Sequence, residues 1–195
     1  MAEVSSWDEI IAGAQRGQHG AFDKLVEEYA PRLYGFAYRY TGSAPDAEDI
    51  AQEVFLKLVR FIGAYSHEQH FEAWLFRIAM NVIRDRSRKT GRRIQTESLE
   101  SVSYLSDGDL DAEANDPVDA SSRSETSSAT NPEDSQRLHG YINQLPEPER
   151  MVILLRHYAD LSFAEISNMM DAPLGTSLAR AHRGLAKLRQ WMEAG

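Results

Sequence analysis

The stretch DAPLGTSLARAHRGLAKLR, residues 171–189, decides the reading of this chain. Leu174, Leu178, Ala181, Leu185, Leu188 and Met192 step by four and three residues, which makes an apolar stripe along a helix. Thr176, Arg180, Arg183, Lys187 and Gln190 keep a similar step on the opposite side and make a polar face with three cations. Just upstream, SFAEISNMM reads as a short helix with Phe163, Ile166 and Met170 turned inward, and DAP as a tight turn. Two helices joined this closely form a helix-turn-helix, whose second helix fits the major groove of DNA. At its start Pro173, Gly175 and Thr176 offer free backbone N–H groups and a hydroxyl to phosphate, while Arg180, Arg183 and Lys187 reach toward base edges or the backbone. An ordinary helical hairpin with a solvated basic face carries the same pattern, so this stretch alone leaves both readings open.

Moving outward, every segment with a clear period is helical. SSWDE has the S-x-x-E form of a capping box at Ser6–Glu9, followed by apolar residues at helical spacing. A second helix is predicted from about Ala21 to Thr41, with Pro31 expected to kink or divide it. A third is predicted from Asp46 to Ile62 and a fourth from Phe71 to Lys89. In the C-terminal part EPERMVILLRHYA, SFAEISNMM and PLGTSLARAHRGLAKLRQWM read as three more. Residues 95–135 are rich in Ser, Asp, Glu, Asn and Thr without a lasting period, and such a segment buries too little apolar surface to offset its chain entropy. The prediction is an all-α protein: an N-terminal helical domain over 1–94, a flexible acidic linker over 95–135, and a C-terminal helix-turn-helix domain over 136–195.

The net charge of −9 argues against nucleic acid until the charges are located. Residues 97–134 hold eleven acids and one base, Arg123, which leaves 20 bases and 19 acids for everything else. The predicted domains are therefore near neutral, with bases free to cluster. With no cysteine, disulfides and cysteine–zinc sites are excluded. The N-terminal residues are acidic and polar where a signal peptide needs an apolar core. No stretch approaches the roughly 18 apolar residues of a membrane span, so a soluble cytoplasmic protein without membrane insertion is expected.

Six of the ten residues in RDRSRKTGRR, 84–93, are basic. In the helix leading into it, Phe71, Trp74, Leu75, Ile78, Val82 and Ile83 form the apolar side and Arg77, Asn81, Arg84 and Arg88 line the other. A cationic face suits a phosphate backbone, and an amide adds a base-edge donor and acceptor. The preceding loop supplies Tyr65, His67 and His70, rings on which an unpaired base can stack. His67 and His70 lack further ligands at metal spacing, so neither a metal nor a cofactor is expected. In DAEDIAQEVFLKL, Asp46, Glu48 and Asp49 suit the positive end of the helix dipole. Asp49, Gln52, Glu53 and Leu56 share a face distinct from that of Ile50, Val54 and Leu58, which fits a protein partner.

In this order, AFDKLVEEYAPRLYGFAYRYTG, DAEDIAQEVFLKL, FEAWLFRIAMNVIRDRSRK and INQLPEPERMVILLRHYADLSFAEISNMMDAPLGTSLARAHRGLAKLR resemble the extracytoplasmic-function (ECF) group of bacterial RNA polymerase sigma factors. The resemblance implies a promoter-specificity subunit of core RNA polymerase and no enzyme activity of its own. Asp46, Asp49, Gln52 and Glu53 would meet the clamp helices of the polymerase β′ subunit. Asn81, Asp85 and Arg88 match an N-x-x-x-D-x-x-R pattern in the helix that approaches the −10 element, and the loop from Tyr65 to His70 corresponds to one that captures an unpaired base. The helix-turn-helix corresponds to the reader of the −35 element, in a domain that also docks on the β-flap. The linker would thread toward the RNA exit path. Members of the group are commonly held inactive by an anti-sigma factor, a partner the resemblance adds.

Several positions depart from the group's common LGIPLGTVKSRLHRA. Ser177 stands at a usually buried valine, Leu178 at a usually basic position, Ala181 at a leucine, Gly184 at an alanine and Asp171 at a turn glycine. Asp tolerates left-handed backbone angles, whereas Gly184 costs a helix interior about 0.5–1 kcal/mol. A rotated or less rigid recognition helix is the expectation. The alternative function is a conventional helix-turn-helix regulator with an N-terminal effector or partner domain. It accounts for residues 161–189 but gives no purpose to the basic Asn81 helix or the acidic Asp49 face.

Overall fold

A computed structural model describes residues 4–66, 70–89 and 132–194, and among them every regular element is a helix. In the N-terminal part these are α1 (Val4–Gln15), α2 (His19–Thr41), α3 (Ala44–Phe61) and α4 (Phe71–Lys89), with one 3-10 turn at Ile62–Ala64. The C-terminal part comprises α5 (Pro132–Gln144), α6 (Glu147–Tyr158), α7 (Phe163–Met170) and α8 (Leu174–Ala194).

Helix α2 runs unbroken through Pro31. A proline inside a helix costs about 3 kcal/mol, but Leu25 and Tyr29 before it and Leu33 and Phe36 after it are all buried. Packing of that face holds the helix together, since tertiary burial supplies most helical stability in proteins. The helix stops where Gly42 takes φ 74° and donates its N–H to the Tyr38 carbonyl, a left-handed cap that glycine adopts at no steric cost. Ser43 then caps α3, its side chain accepting from the Asp46 amide at 3.3 Å. Helix α1 begins at Val4, so Ser6 lies inside it rather than at its start. Helix α5, which periodicity did not reveal, takes its first four residues, Pro132 to Ser135, from the segment expected to be linker.

Leu25, Leu33, Phe36, Leu58, Leu75, Phe76, Met80 and Ile83 form the centre of the N-terminal bundle, with Phe36 and Phe76 edge to face at 5.4 Å. Each such side chain contributes about 1.5–3 kcal/mol of burial free energy. In the C-terminal half Leu145, Met151, Val152, Leu154, Leu155, Leu161 and Ile166 are buried together.

The two halves share one continuous apolar cluster. Their contact runs along α2, which meets α5 and α6. Arg32 Nε donates to the Tyr158 carbonyl at 2.8 Å, and the Tyr40 hydroxyl donates to Glu147 at 3.2 Å. Arg150 donates to the Tyr40 carbonyl at 3.3 Å with its guanidinium 5.0 Å from the Tyr40 ring centre. Tyr38 stacks on His139 at 4.6 Å, and burial together with the Arg39 charge lowers the His139 pKa.

Candidate nucleic-acid interface

The helix-turn-helix is built by local hydrogen bonds. At the start of α7, Glu165 accepts from both the amide and the hydroxyl of Ser162, at 2.8 and 2.7 Å, while the Ser162 oxygen accepts from the Glu165 amide. This reciprocal pair is the capping box. The helix ends at Asp171, whose φ of 51° and ψ of 49° are left-handed, as the expectation for an aspartate at this turn allows. The Pro173 carbonyl then accepts from the Thr176 and Ser177 amides, which starts α8. The first amides of α8, at Leu174 and Gly175, have no carbonyl one turn back within the helix and point out of its N-terminal end.

Helix α8 is rolled relative to the stripe that leucine spacing predicts. Its buried line is Ser177, Ala181, Gly184 and Leu188. Leu174, Leu178 and Leu185, expected in the core, are 46%, 43% and 54% exposed. Small side chains are the physical reason. A Cβ on Gly184 would lie 2.6 Å from Ile153 Cδ1 and 3.4 Å from Glu149 Cβ. Helices α6 and α8 therefore approach along a line where bulk is excluded, and the leucines are displaced to its flank. Gly184 acts as a packing site rather than as a loosened turn of helix.

That roll divides the expected DNA-binding residues. Glu149 of α6, its side chain 8% exposed, accepts from Arg183 Nε at 3.3 Å and from Lys187 Nζ at 2.9 Å. The two pairs satisfy an otherwise costly buried carboxylate. Arg180 is half-buried and makes no ion pair among the described residues. Pro173 and Gly175 are exposed, and Thr176 is half-buried beside them.

On α4, Arg77 and Asn81 are exposed on one side and Arg84 is half-buried, while Arg88 lies in the last turn of the helix. Of the rings in the preceding loop, Tyr65 is not open to solvent. Tyr65 is 7% exposed, with Phe71 at 5.4 Å and Trp74 at 5.3 Å, and burial raises the pKa of its hydroxyl. It belongs to the core in this conformation, against the expectation that it stacks on a base. His70 is exposed, and its Nδ1 lies 2.6 Å from Glu165 of α7, which joins the loop to the helix-turn-helix. His67 lies outside the described residues.

On α3, the acidic face is gathered by a base from α4. Arg86 pairs with Asp49 at 3.4 Å and Glu53 at 3.1 Å and donates to the Asp49 carbonyl at 3.3 Å. Glu53 also pairs with Lys57 at 3.5 Å. Asp46 is half-buried in the first turn and Gln52 is exposed. One and two turns beyond Gln52, Leu56, which helical spacing already put on this face, and Val59, which it did not single out, are 72% and 58% exposed. Glu149 and Arg86 are the other residues it missed. Their partners are 33 to 38 positions away along the chain, beyond the reach of any local pattern. Among the described residues no group of three or more His, Asp or Glu is placed to hold a metal ion, and no helix is long and apolar enough to cross a membrane.

Two family descriptions match the chain: Sigma-70 region 2 over residues 25–93 and Sigma-70 region 4 over residues 135–188. ECF RNA polymerase sigma factor SigW of Bacillus subtilis is 33% identical over 188 residues, covering 92% of this chain and 93% of that protein. ECF RNA polymerase sigma-E factor of Escherichia coli is 31% identical over 186 residues, covering 94% and 92%. RNA polymerase sigma-H factor of Pseudomonas aeruginosa is 30% identical over 177 residues, covering 90% and 88%. Among solved structures, CnrH in complex with the cytosolic domain of CnrY aligns with a TM-score of 0.64 at 21% identity, over 95% of this chain and 96% of that one. The sigma factor RpoE in complex with the anti-sigma factor NepR, from Bartonella quintana, aligns at 0.62 and 20% identity, over 88% and 96%. The structures agree in fold, and the sequences agree over nearly their full lengths. The chain belongs to the ECF group of RNA polymerase sigma factors.

Proposed function

We propose that this chain binds core RNA polymerase and directs it to promoters, contacting the −10 element through α4 and the −35 element through α8. The observation that carries the reading is the presence, on one chain and in order, of a region 2 match ending in a cationic helix and a region 4 match ending in a helix-turn-helix. Arg77, Asn81, Arg84 and Arg88 supply the phosphate and base-edge groups of the first contact. Thr176, Arg180 and the free amides at the start of α8 supply those of the second. Opening the duplex costs a few kcal/mol per unstacked step, which phosphate contacts and capture of a flipped base offset. Neither task asks a residue of this chain to make or break a covalent bond, so catalysis of RNA synthesis stays with the polymerase.

The face of Asp46, Asp49, Gln52 and Glu53 is the proposed docking surface for the β′ clamp helices, and the C-terminal half is proposed to reach the β-flap. An anti-sigma factor is a further proposed partner, supported by the similarly folded sigma factor RpoE, which is solved in complex with the anti-sigma factor NepR. The proposed setting is the cytoplasm, where polymerase and promoters are. A stand-alone helix-turn-helix regulator is not favoured, because it leaves the region 2 match and the α3 face without a task.

Reconstitution tests the reading. The full chain added to core polymerase should start transcription from promoter fragments of its own genome. Asp49→Arg with Glu53→Arg should abolish association with core polymerase while helical circular dichroism persists. Tight promoter binding without polymerase, and no initiation with it, would overturn the proposal.

A further inference from the structure

Leu174 and Leu178 occupy the first turns of the second helix of the helix-turn-helix and are 46% and 43% exposed. Their exposure has a structural cause, since Ser177, Ala181, Gly184 and Leu188 take the core line of α8, which at Gly184 has no room for added bulk, and Leu174 and Leu178 lie off that line. In a helix-turn-helix the N-terminal residues of the second helix meet base edges in the major groove. At that end two leucines flank the core line on one side, and Thr176 and the cation Arg180 flank it on the other. Arg183 and Lys187, one and two turns further on, are engaged by Glu149.

Charge selects the occupant of this apolar edge. From residue 174 to residue 192 the helix has no acid, while Arg180, Arg183, Lys187 and Arg189 are cationic. A polyanion is the complementary partner, and the major groove of DNA presents one apolar group, the C5-methyl of thymine. We infer that Leu178, supported by Leu174, reads thymine methyl groups in the DNA element bound by α8, so that sequence choice there rests on apolar contact as well as hydrogen bonding. The inference rests on the promoter-binding reading above and assigns a specificity-determining residue to it.

The test changes the DNA before it changes the protein. Holoenzyme assembled from the full chain and core polymerase is used to select duplexes randomised in the upstream element, and the selected duplex is remade with deoxyuridine replacing each thymine in turn. Deoxyuridine keeps the hydrogen-bonding groups and lacks the methyl. At one or two positions the wild-type holoenzyme should bind roughly threefold to fivefold more weakly, the worth of one buried methyl group. Holoenzyme carrying Leu178→Ala should bind the thymine duplex more weakly and lose that sensitivity. The exposed site makes this variant tolerable to the fold, and helical circular dichroism checks it. Sequence-selective binding that ignores deoxyuridine, an element selected without thymine, or equal sensitivity in Leu178→Ala overturns the inference and leaves promoter recognition standing. Failure to select any upstream sequence overturns both.

Discussion

Gly184 and Ile153 lie so close that a Cβ on the glycine would stand 2.6 Å from Ile153 Cδ1. The contact is with the far end of a half-buried side chain, so the two residues are energetically linked. Removing Cδ1 by Ile153→Val should make Gly184→Ala more favourable by about 0.5–1 kcal/mol than it is in the wild-type background. The helix-propensity gain of alanine is the same in both backgrounds and cancels in the cycle. Urea unfolding of the four proteins measures the coupling. Equal effects of Gly184→Ala in both backgrounds would show that α6 and α8 are not in contact here.

Glu149 is nearly buried, while its partners Arg183 and Lys187 are 56% and 39% exposed. The two sides of the cluster should therefore respond differently. Arg183→Ala with Lys187→Ala strands a buried carboxylate and should cost about 3 kcal/mol. Adding Glu149→Met to that double variant should restore most of the loss, because an apolar side chain needs no partner. Denaturation midpoints of the double and triple variants check it.

Ser177 is fully buried, and its hydroxyl has no hydrogen-bond partner among the described residues. A buried polar group without a partner costs about 1–3 kcal/mol. Ser177→Ala removes it at little cost in volume and improves helix propensity, so the variant should be about 1 kcal/mol more stable. A lower melting temperature than wild type would refute this.

Alkaline pH should weaken the fold through two tyrosines. The Tyr29 hydroxyl donates to Glu72 at 2.7 Å and that of Tyr40 to Glu147, and burial followed by the carboxylate charge raises both above the ordinary tyrosine value of 10.0. The unfolded chain loses these protons near pH 10, whereas the folded chain keeps them. The stabilisation is present in full below pH 10 and is lost as pH rises beyond it. Melting temperatures between pH 8 and 11.5 should fall more steeply for the wild type than for Tyr29→Phe with Tyr40→Phe.

Helix α4 was legible to both ends in the sequence, because its apolar residues are large and keep the helical step from Phe71 to Ile83. The turn at Asp171 was equally legible from residue type. Helix α5 was not. Its apolar residues, Leu138, Tyr141 and Ile142, follow an acidic start that continues the composition of the preceding segment. The roll of α8 was anticipated as an irregularity but not in direction. Leucine spacing marks the most hydrophobic line of a helix, whereas packing against α6 selected the narrowest one. Of the candidate site, the exposed Arg77 and Asn81 stand where periodicity put them. The buried Tyr65 and the engagement of Arg183 and Lys187 depend on residues distant in the chain, which periodicity does not see.

Helix α2 buries one side in the N-terminal bundle and offers Arg32, Gly35 and Tyr40 to the C-terminal half, with Gly35 so close to the Tyr158 ring that a Cβ there would meet it at 2.5 Å. A lesion in this helix is consequently never confined to one end of the molecule. In a genetic screen, a defect from Gly35→Ala should be suppressed by smaller residues at position 158, far along the gene. Phenotypes mapped to the first half would then report on the geometry of the second.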